Sequence, residues 1–469
     1  MDDGSSERIV TALQSWLSTA RPGQRLPSTR ALTAAHGASP LTVQKAIRRL
    51  TGLGLVEPRP GVGTFVRGAH PVRPADHGWQ TAALGAPQSR VATLSSTQRP
   101  AAPDAMALHS GYPAPGLLPE RLVRQALARA ARGESAMTRS PAAGLPALQA
   151  LFAAELASAV PAGVTPPGAR DVTVLSGSQS ALSSVFRTMV GPGRPLLIES
   201  PTYWGAILAA DQAGVVLVPV PTGVDGPDPD EVDRAFARTG ARAFYAQPTF
   251  ANPTGGQWPD ATGRAVLDAV RRHGAFLVED DWAHDFGIDA EPRSVMALDD
   301  DGHVVYLRSL TKSVSPALRV AAVVARGPAR ERILADRAAE AMYVSGVLQA
   351  AALDVMTQPG WRTHRRGLRE QLRARRDLLL ESLRTHAPSV TVHPPVGGLN
   401  LWARLPEGAD VDAVVRDCAQ RGLVIAPGSE WFPAEPTGPY VRLNFAGEGP
   451  ERFPEAAQVL GEVLGGTSG

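Results

Sequence analysis

The chain has 469 residues, 43 % of them hydrophobic and 20 % charged, with a formal net charge of +2. That length predicts two or three domains, and that composition excludes wholesale disorder. There is no run of 18 apolar residues, the acidic start Met1-Asp2-Asp3 lacks the layout of a secretory leader, and the single cysteine, Cys418, excludes an intramolecular disulfide. A soluble cytoplasmic protein without membrane contact is expected, and no metal site.

Two details of the charge matter more than its total. Of 47 basic residues only Lys45 and Lys312 are lysines. A guanidinium stays protonated and forms no imine, so any covalent lysine chemistry has two candidates. Residues 1–68 carry nine basic and four acidic residues, net +5, whereas the remainder carries 38 and 41, net −3. A basic head on a mildly acidic body predicts that the head meets a polyanion.

In chain order, Ile9, Leu13, Trp16 and Leu17 recur at helical spacing over residues 6–20. Ser28, after Leu26-Pro27, is placed to cap a second helix ending at Gly37, and Ser39-Pro40 opens a third reaching about Leu53. Residues 55–66 then read as two short strands around a Pro/Gly turn. Helix, helix, helix, hairpin is the order of a winged helix-turn-helix. The third helix shows Gln44, Lys45, Arg48 and Arg49 outside its apolar stripe; Thr42 and Gln44 suit base edges and the basic residues suit phosphates, with Arg59 on the wing.

Residues 69–105, rich in Ala, Pro, Gln and Ser, read as a linker. From about 106, helical segments alternate with strands at Val172–Leu175, Pro195–Ile198, Val215–Val220, Ala243–Gln247, Ala275–Val278, Val304–Leu307 and Val320–Val324, which predicts a parallel sheet covered on both faces. An Arg-rich helix is expected over about 362–386, and a small C-terminal subdomain over about 390–469.

The body's one lysine follows a strand in Ser309-Leu310-Thr311-Lys312, with Arg319 seven residues on. A lysine there can form an imine with an aldehyde cofactor, and the hydroxyls and guanidinium can hold its phosphate. Other strand ends agree. Glu279-Asp280-Asp281 offers a carboxylate for a protonated pyridine nitrogen, and Asn252-Pro253-Thr254-Gly255 an amide for a phenolic oxygen. Ser176-Gly177-Ser178-Gln179-Ser180 offers helix N–H groups for a phosphate, and Tyr203 an aromatic ring to stack.

These stretches carry two resemblances. Leu26–Leu32, Ser39–Val43, Gly54-Leu55 and Gly61–Val66 resemble the GntR-family winged helix-turn-helix over nearly all of residues 6–68, which implies that Arg30, Thr42 and the wing glycines Gly61 and Gly63 lie near double-stranded DNA. Pro40 stands where many members have an arginine. Residues 106–469 resemble the α/β fold type I aminotransferases that bind pyridoxal 5'-phosphate, with a small C-terminal α+β subdomain. The resemblance implies Lys312 as the covalent, catalytic lysine, Asp280 as the pyridine partner, Asn252 on the ring oxygen and Tyr203 stacked on the ring. Ser178, Gln179, Ser309 and Arg319 fall on the phosphate, and Arg442, in Tyr440–Phe445, on an effector carboxylate. Trp282 and Arg139 replace tyrosines common in that family, Arg139 at a position that reaches a neighbouring subunit. A GntR head joined to such a body resembles the MocR/GabR-type regulators. The pairing implies a dimeric transcription factor answering a small amine, an amino acid or pyridoxal phosphate itself. A working aminotransferase with a DNA-binding appendage, and a body reduced to a dimerisation scaffold, are the alternatives.

Overall fold

The computed structural model describes residues 3–67, 80, 83 and 95–466. They fall into two compact units, Met1–Gln88 and Ser89–Gly469.

The first unit is built by two serine caps. Helix α1 spans Asp3–Leu17, α2 Thr29–His36 and α3 Pro40–Gly52. The Ser28 hydroxyl accepts the Ala31 N–H at 3.2 Å and the Ser39 hydroxyl the Thr42 N–H at 3.2 Å, satisfying first-turn donors that the helices leave unpaired. Gly37 closes α2 at φ 57°, a left-handed conformation that glycine adopts without a Cβ clash. Strands β1 (Val56–Arg59) and β2 (Gly63–Val66) pair antiparallel as the wing. Ile9, Val10 and Leu13 of α1 pack on Val43, Ala46 and Leu50 of α3 and on Val56 and Val66 of the wing, one apolar cluster for the whole unit.

In the second unit, β3 is Met106–Ala107, followed by α4 (Glu120–Ala130) and α5 (Pro146–Ala157). The alternation then begins: β4 (Val172–Leu175), α6 (Ser178–Val185), β5 (Pro195–Ser200), α7 (Trp204–Gln212), β6 (Val216–Gly223), β7 (Gly226–Pro227), α8 (Pro229–Thr239), β8 (Ala243–Ala246), α9 (Asp260–Arg272), β9 (Phe276–Asp281), β10 (Val304–Ser309) and β11 (Ala321–Val324). These strands form one sheet in the order β4-β11-β10-β9-β8-β5-β6-β7. Alternate residues bury on opposite faces: Val304 and Tyr306 of β10 join one core, Val305 and Leu307 the other.

The sheet is mixed rather than wholly parallel. β11 runs antiparallel to both its neighbours, β10 and β4, and β7 antiparallel to β6. The reason lies in the connection. A parallel return needs a crossover of a dozen or more residues, whereas residues 310–320 contain only turns, so the chain comes straight back. The Leu310 N–H donates to the Val320 carbonyl at 3.1 Å, closing the loop and keeping Lys312 and Arg319 at the same end of the sheet.

Helices α10 (Gly327–Ala341) and α11 (Gly346–Thr357) lead into α12 (Pro359–His386), which is the expected Arg-rich helix. Its Trp361 belongs to the large-sheet core, while Leu368, Leu372, Leu379 and Leu383 belong to a second core beneath the C-terminal lobe. That lobe holds β12 (Thr391–Val392), β13 (Asn400–Arg404), α13 (Val411–Gln420), β14 (Leu423–Val424), β15 (Ala426–Pro427), β16 (Tyr440–Asn444) and α14 (Phe453–Gly466), with an antiparallel sheet ordered β12-β13-β16-β15. The lobe is not purely C-terminal, because β3 pairs with β14 and Met106, Leu108 and Leu117 enter its core. Of the expected linker, 69–94 lies outside the described residues apart from Gln80 and Ala83. Residues 95–105 are described and belong to the second unit.

Candidate functional site

Five strand ends of the large sheet open at one edge, the position where α/β sheets place their ligands. The loops after β4, β5, β8, β9 and β10 surround a cavity of about 470 Å³, and all eight residues expected to hold a cofactor line it: Ser178, Gln179, Tyr203, Asn252, Asp280, Ser309, Lys312 and Arg319.

Lys312 is the centre of the cavity. Its ammonium lies 4.2 Å from the Trp282 ring centre and 5.9 Å from those of Tyr112 and Tyr203, so three aromatic faces surround it. Burial, reinforced by the nearby charge of Arg442 and opposed by Asp280, pushes its pKa down to about 7. A large share of this amine is neutral, and therefore nucleophilic, at physiological pH.

Asp280 is the last residue but one of β9, fully buried. Tyr245 donates to its Oδ2 at 2.8 Å and Gln247 Nε2 at 3.0 Å. Burial raises its pKa, while those two bonds and Lys312 pull the other way. Its other oxygen, Oδ1, meets no hydrogen-bond partner among the described residues, and neither does Thr311 Oγ1 of the same cavity. Neither Tyr245 nor Gln247 is among the residues expected at the site. Tyr245 sits on an inward-facing position of β8, where a core tyrosine and a tyrosine orienting a carboxylate look the same in sequence.

The phosphate side is a cradle of backbone. Gly177 has φ 93°, and a Cβ there would lie 2.6 Å from Arg319 Nη2, so the position needs glycine twice over. Arg319 in turn donates to the Ser176 carbonyl at 3.3 Å, which sets its guanidinium against the first turn of α6. Tyr203 donates to Gln179 Oε1 at 3.3 Å, and Gln179 Nε2 to the Gly205 carbonyl at 2.7 Å. Ser309 is buried, its Oγ accepting the Thr311 N–H at 3.3 Å.

The opposite side differs from expectation. Arg442 does not line the cavity. It is buried, stacked 4.6 Å from the Trp431 ring, with Nη2 donating to the carbonyls of His109 (2.8 Å) and Ser110 (3.0 Å) and Nη1 lying 3.4 Å from Asn252 Oδ1. Burial pushes its pKa down to about 9, and its Nε has no hydrogen-bond partner among the described residues. Trp431 Nε1 also donates to Asn252 Oδ1 at 3.2 Å. Trp282 lines the cavity beside Lys312, while Arg139 lies apart from it, in a hollow it shares with Met342 and Tyr343. Gln98 and Tyr112, which carry no motif, complete the wall.

In the first unit, Arg30, Gln44, Lys45, Arg48, Arg49, Arg59 and Gly61 are exposed. Arg49 pairs with Glu7, and Arg59 with Glu57 while lying 4.6 Å from the Phe65 ring centre. Gly63 takes φ 140° with the Arg25 side chain against it, which fixes the wing's return. Thr42 departs from its expected place. It is buried, with its hydroxyl 2.8 Å from Ser39 Oγ, because the cap of α3 engages it. Gln44, Lys45 and Arg48 form the exposed polar face of α3, with Leu41 exposed beside them.

Fold and site together define a winged-helix unit joined to an aminotransferase-type body. Residues 104–460 match the model of aminotransferase class I and II, and residues 5–66 that of the bacterial regulatory proteins of the gntR family. The chain belongs to the aminotransferase class I and II family and has the domain pairing of the MocR-type transcriptional regulators. It is 31 % identical to the 2-aminoadipate transaminase of Thermus thermophilus over 80 % of this chain and 92 % of that one. It is 28 % identical to the probable rhizopine catabolism regulatory protein MocR of Rhizobium meliloti over 93 % and 88 %. Among solved structures, LysN, the alpha-aminoadipate aminotransferase from Thermus thermophilus complexed with N-(5'-phosphopyridoxyl)-L-leucine, superposes with a TM-score of 0.71 at 29 % identity, covering 78 % of this chain and 93 % of that one. Among the described residues no helix is long and apolar enough to cross a membrane.

Proposed function

We propose that this chain is a pyridoxal-phosphate-dependent transcriptional regulator of the cytoplasm. Its winged helix holds operator DNA, and its body senses a small amine, an amino acid or the cofactor itself. The observation that carries this reading is Lys312, the body's only lysine, with a lowered pKa at the centre of a cavity whose polar walls suit a phosphorylated pyridine aldehyde. When bound, that cofactor supplies an aldehyde with which amines condense.

The chain's own residues then divide the work. Lys312 would hold the cofactor covalently, and Asp280, kept in place by Tyr245 and Gln247, would offer Oδ1, unpartnered among the described residues, to the pyridine N–H. Asn252 would meet the ring oxygen and Tyr203 the ring, and Ser178 and Gln179 at the N-terminus of α6, with Ser309 and Arg319, would hold the phosphate. Arg442 is buried behind the cavity wall, its Nη2 held by the His109 and Ser110 carbonyls, and an effector carboxylate that reached it would give that cation an ionic partner. Met342 and Tyr343, both exposed apolar side chains, flank Arg139 and support a homodimer formed through the body.

The completeness of the site favours a second reading, a working aminotransferase with a DNA-binding appendage. Selection of bound duplexes from a random pool by the full-length protein, followed by affinity measurement with and without pyridoxal phosphate and amino acids, separates the two. A regulator selects a defined sequence, and its affinity shifts several-fold with ligand. Failure to select any sequence, together with sustained keto acid formation, overturns the regulator reading.

A further inference from the structure

Residues 95–99 lie within the C-terminal part of the expected linker, 69–105, yet they are fastened to the body more firmly than a tether requires. Ser95 opens a single 3-10 turn, Ser96–Gln98, by accepting the Thr97 N–H. One carboxylate holds this turn. Glu430 accepts the Ser95 hydroxyl at 2.5 Å, the Ser96 hydroxyl at 3.0 Å and the Ser96 N–H at 2.9 Å. Charge-assisted bonds of this kind are the strong members of their class. Ser95 and Thr97 are buried, and the turn directs Gln98 to the wall of the Lys312 cavity.

The turn is also tied to the effector arginine from two sides. His109 Nε2 lies 2.8 Å from the Arg99 carbonyl, and the His109 carbonyl holds Arg442. Glu430 belongs to the short helix Gly428–Trp431, whose Trp431 stacks on Arg442, and Glu430 is the carboxylate whose field supports the charge of that buried guanidinium. Trp282 and Tyr112 give the cavity wall around Lys312 an aromatic character, and Gln98 adds to the same cavity an amide that can both donate and accept.

We propose that Gln98 is a specificity residue for the effector, selecting amino acids with a polar distal group, and that Glu430 is the positioning residue that clasps the linker's end so that Gln98 can do so. The inference rests on the cavity being the cofactor and effector site. A ligand that reaches Gln98 adds a bond to the turn Glu430 already holds, so occupancy of the cavity sets how tightly the linker's end is fixed. The sequence running from that end leads to the DNA-binding unit.

The test uses the full-length protein with three probes: pyridoxamine phosphate, N-(5'-phosphopyridoxyl)-L-glutamate and the corresponding L-leucine adduct. The expected result is that the wild type binds the glutamate adduct roughly tenfold more tightly than the leucine adduct, the scale of one hydrogen bond made or missed. Gln98→Leu removes or inverts that ratio. Hydrogen exchange over residues 95–99 slows with the glutamate adduct and not with pyridoxamine phosphate. In Glu430→Gln those amides exchange faster in every state, and Glu430→Asp restores part of the protection, which a general loss of folding does not do. An unchanged adduct ratio in Gln98→Leu, or wild-type exchange in Glu430→Gln, with pyridoxamine phosphate still binding, overturns the inference and leaves the cofactor site standing. Failure of the wild type to bind any of the three probes overturns the cofactor site and this inference with it.

Discussion

The two sides of the Lys312 cavity are built differently. The side proposed for the cofactor is made of strand ends and their loops: Asp280 and Ser309 lie at the ends of β9 and β10, Ser178, Gln179, Tyr203, Asn252 and Lys312 come soon after β4, β5, β8 and β10, Arg319 stands just before β11, and the sheet's order brings them together. The other side is made of single residues from distant places, Gln98 and Tyr112, with Trp282 directly after β9 and, behind the wall, Arg442 and Trp431. A side held by the sheet is rigid and repeats one chemistry. A side assembled from single residues of separate segments can change its chemistry by changing a residue, and that is the side on which the proposed effector recognition rests.

The largest expected effect breaks the cofactor side outright. Lys312→Ala abolishes the visible absorbance that the wild type gains with pyridoxal phosphate, while DNA binding by the winged helix persists. Retained absorbance in the variant refutes the assignment of the lysine. Next, Asp280→Asn keeps the shape but removes the charge, leaving Tyr245 and Gln247 against a neutral amide. Cofactor affinity measured by equilibrium dialysis is expected to fall roughly ten- to hundredfold, the scale of a lost bond to a charged group.

A gentler test is pH. The neutral amine is the attacking form, and burial sets the Lys312 pKa to about 7. The rate of cofactor capture in stopped-flow absorbance therefore rises about tenfold per pH unit below that value and levels off above it, because the neutral fraction saturates. A rate still climbing toward pH 10 shows a lysine of ordinary basicity. The smallest effect concerns the head. Arg48→Ala lowers the slope of log affinity against log salt by about one, as loss of a single phosphate contact does. Arg49→Ala lowers it less, since Arg49 is already paired with Glu7. Equal slopes for both variants and the wild type contradict the placement of α3 against the phosphate backbone.

The same contrast explains what can be read from the sequence. The head is legible because its signals are local: Ser28, Ser39 and Gly37 cap helices wherever they occur, and the described helices begin and end beside them. The strands and the cofactor residues are legible because strand-end motifs stay with their strands. The antiparallel β11 is not, because apolar periodicity carries no direction; only the shortness of residues 310–320 marks it. Thr42 misleads because its spacing shows one helix face while its hydroxyl also serves the Ser39 cap. Arg442 falls on the expected strand, β16, but its partners are carbonyls more than 300 residues away, and no motif records them. Gln98 lies in a stretch that composition marks as a tether, and composition does not reveal Glu430, 334 residues beyond Ser96, closing on it.

The most direct test of the central claim exploits the scarcity of lysine. The full-length protein is incubated with pyridoxal phosphate, reduced with borohydride, digested and mapped by mass spectrometry. The account predicts one phosphopyridoxyl group per chain, on Lys312, with Lys45 unmodified. Modification of Lys45 to the same extent, or no modification of Lys312 at saturating cofactor, contradicts it.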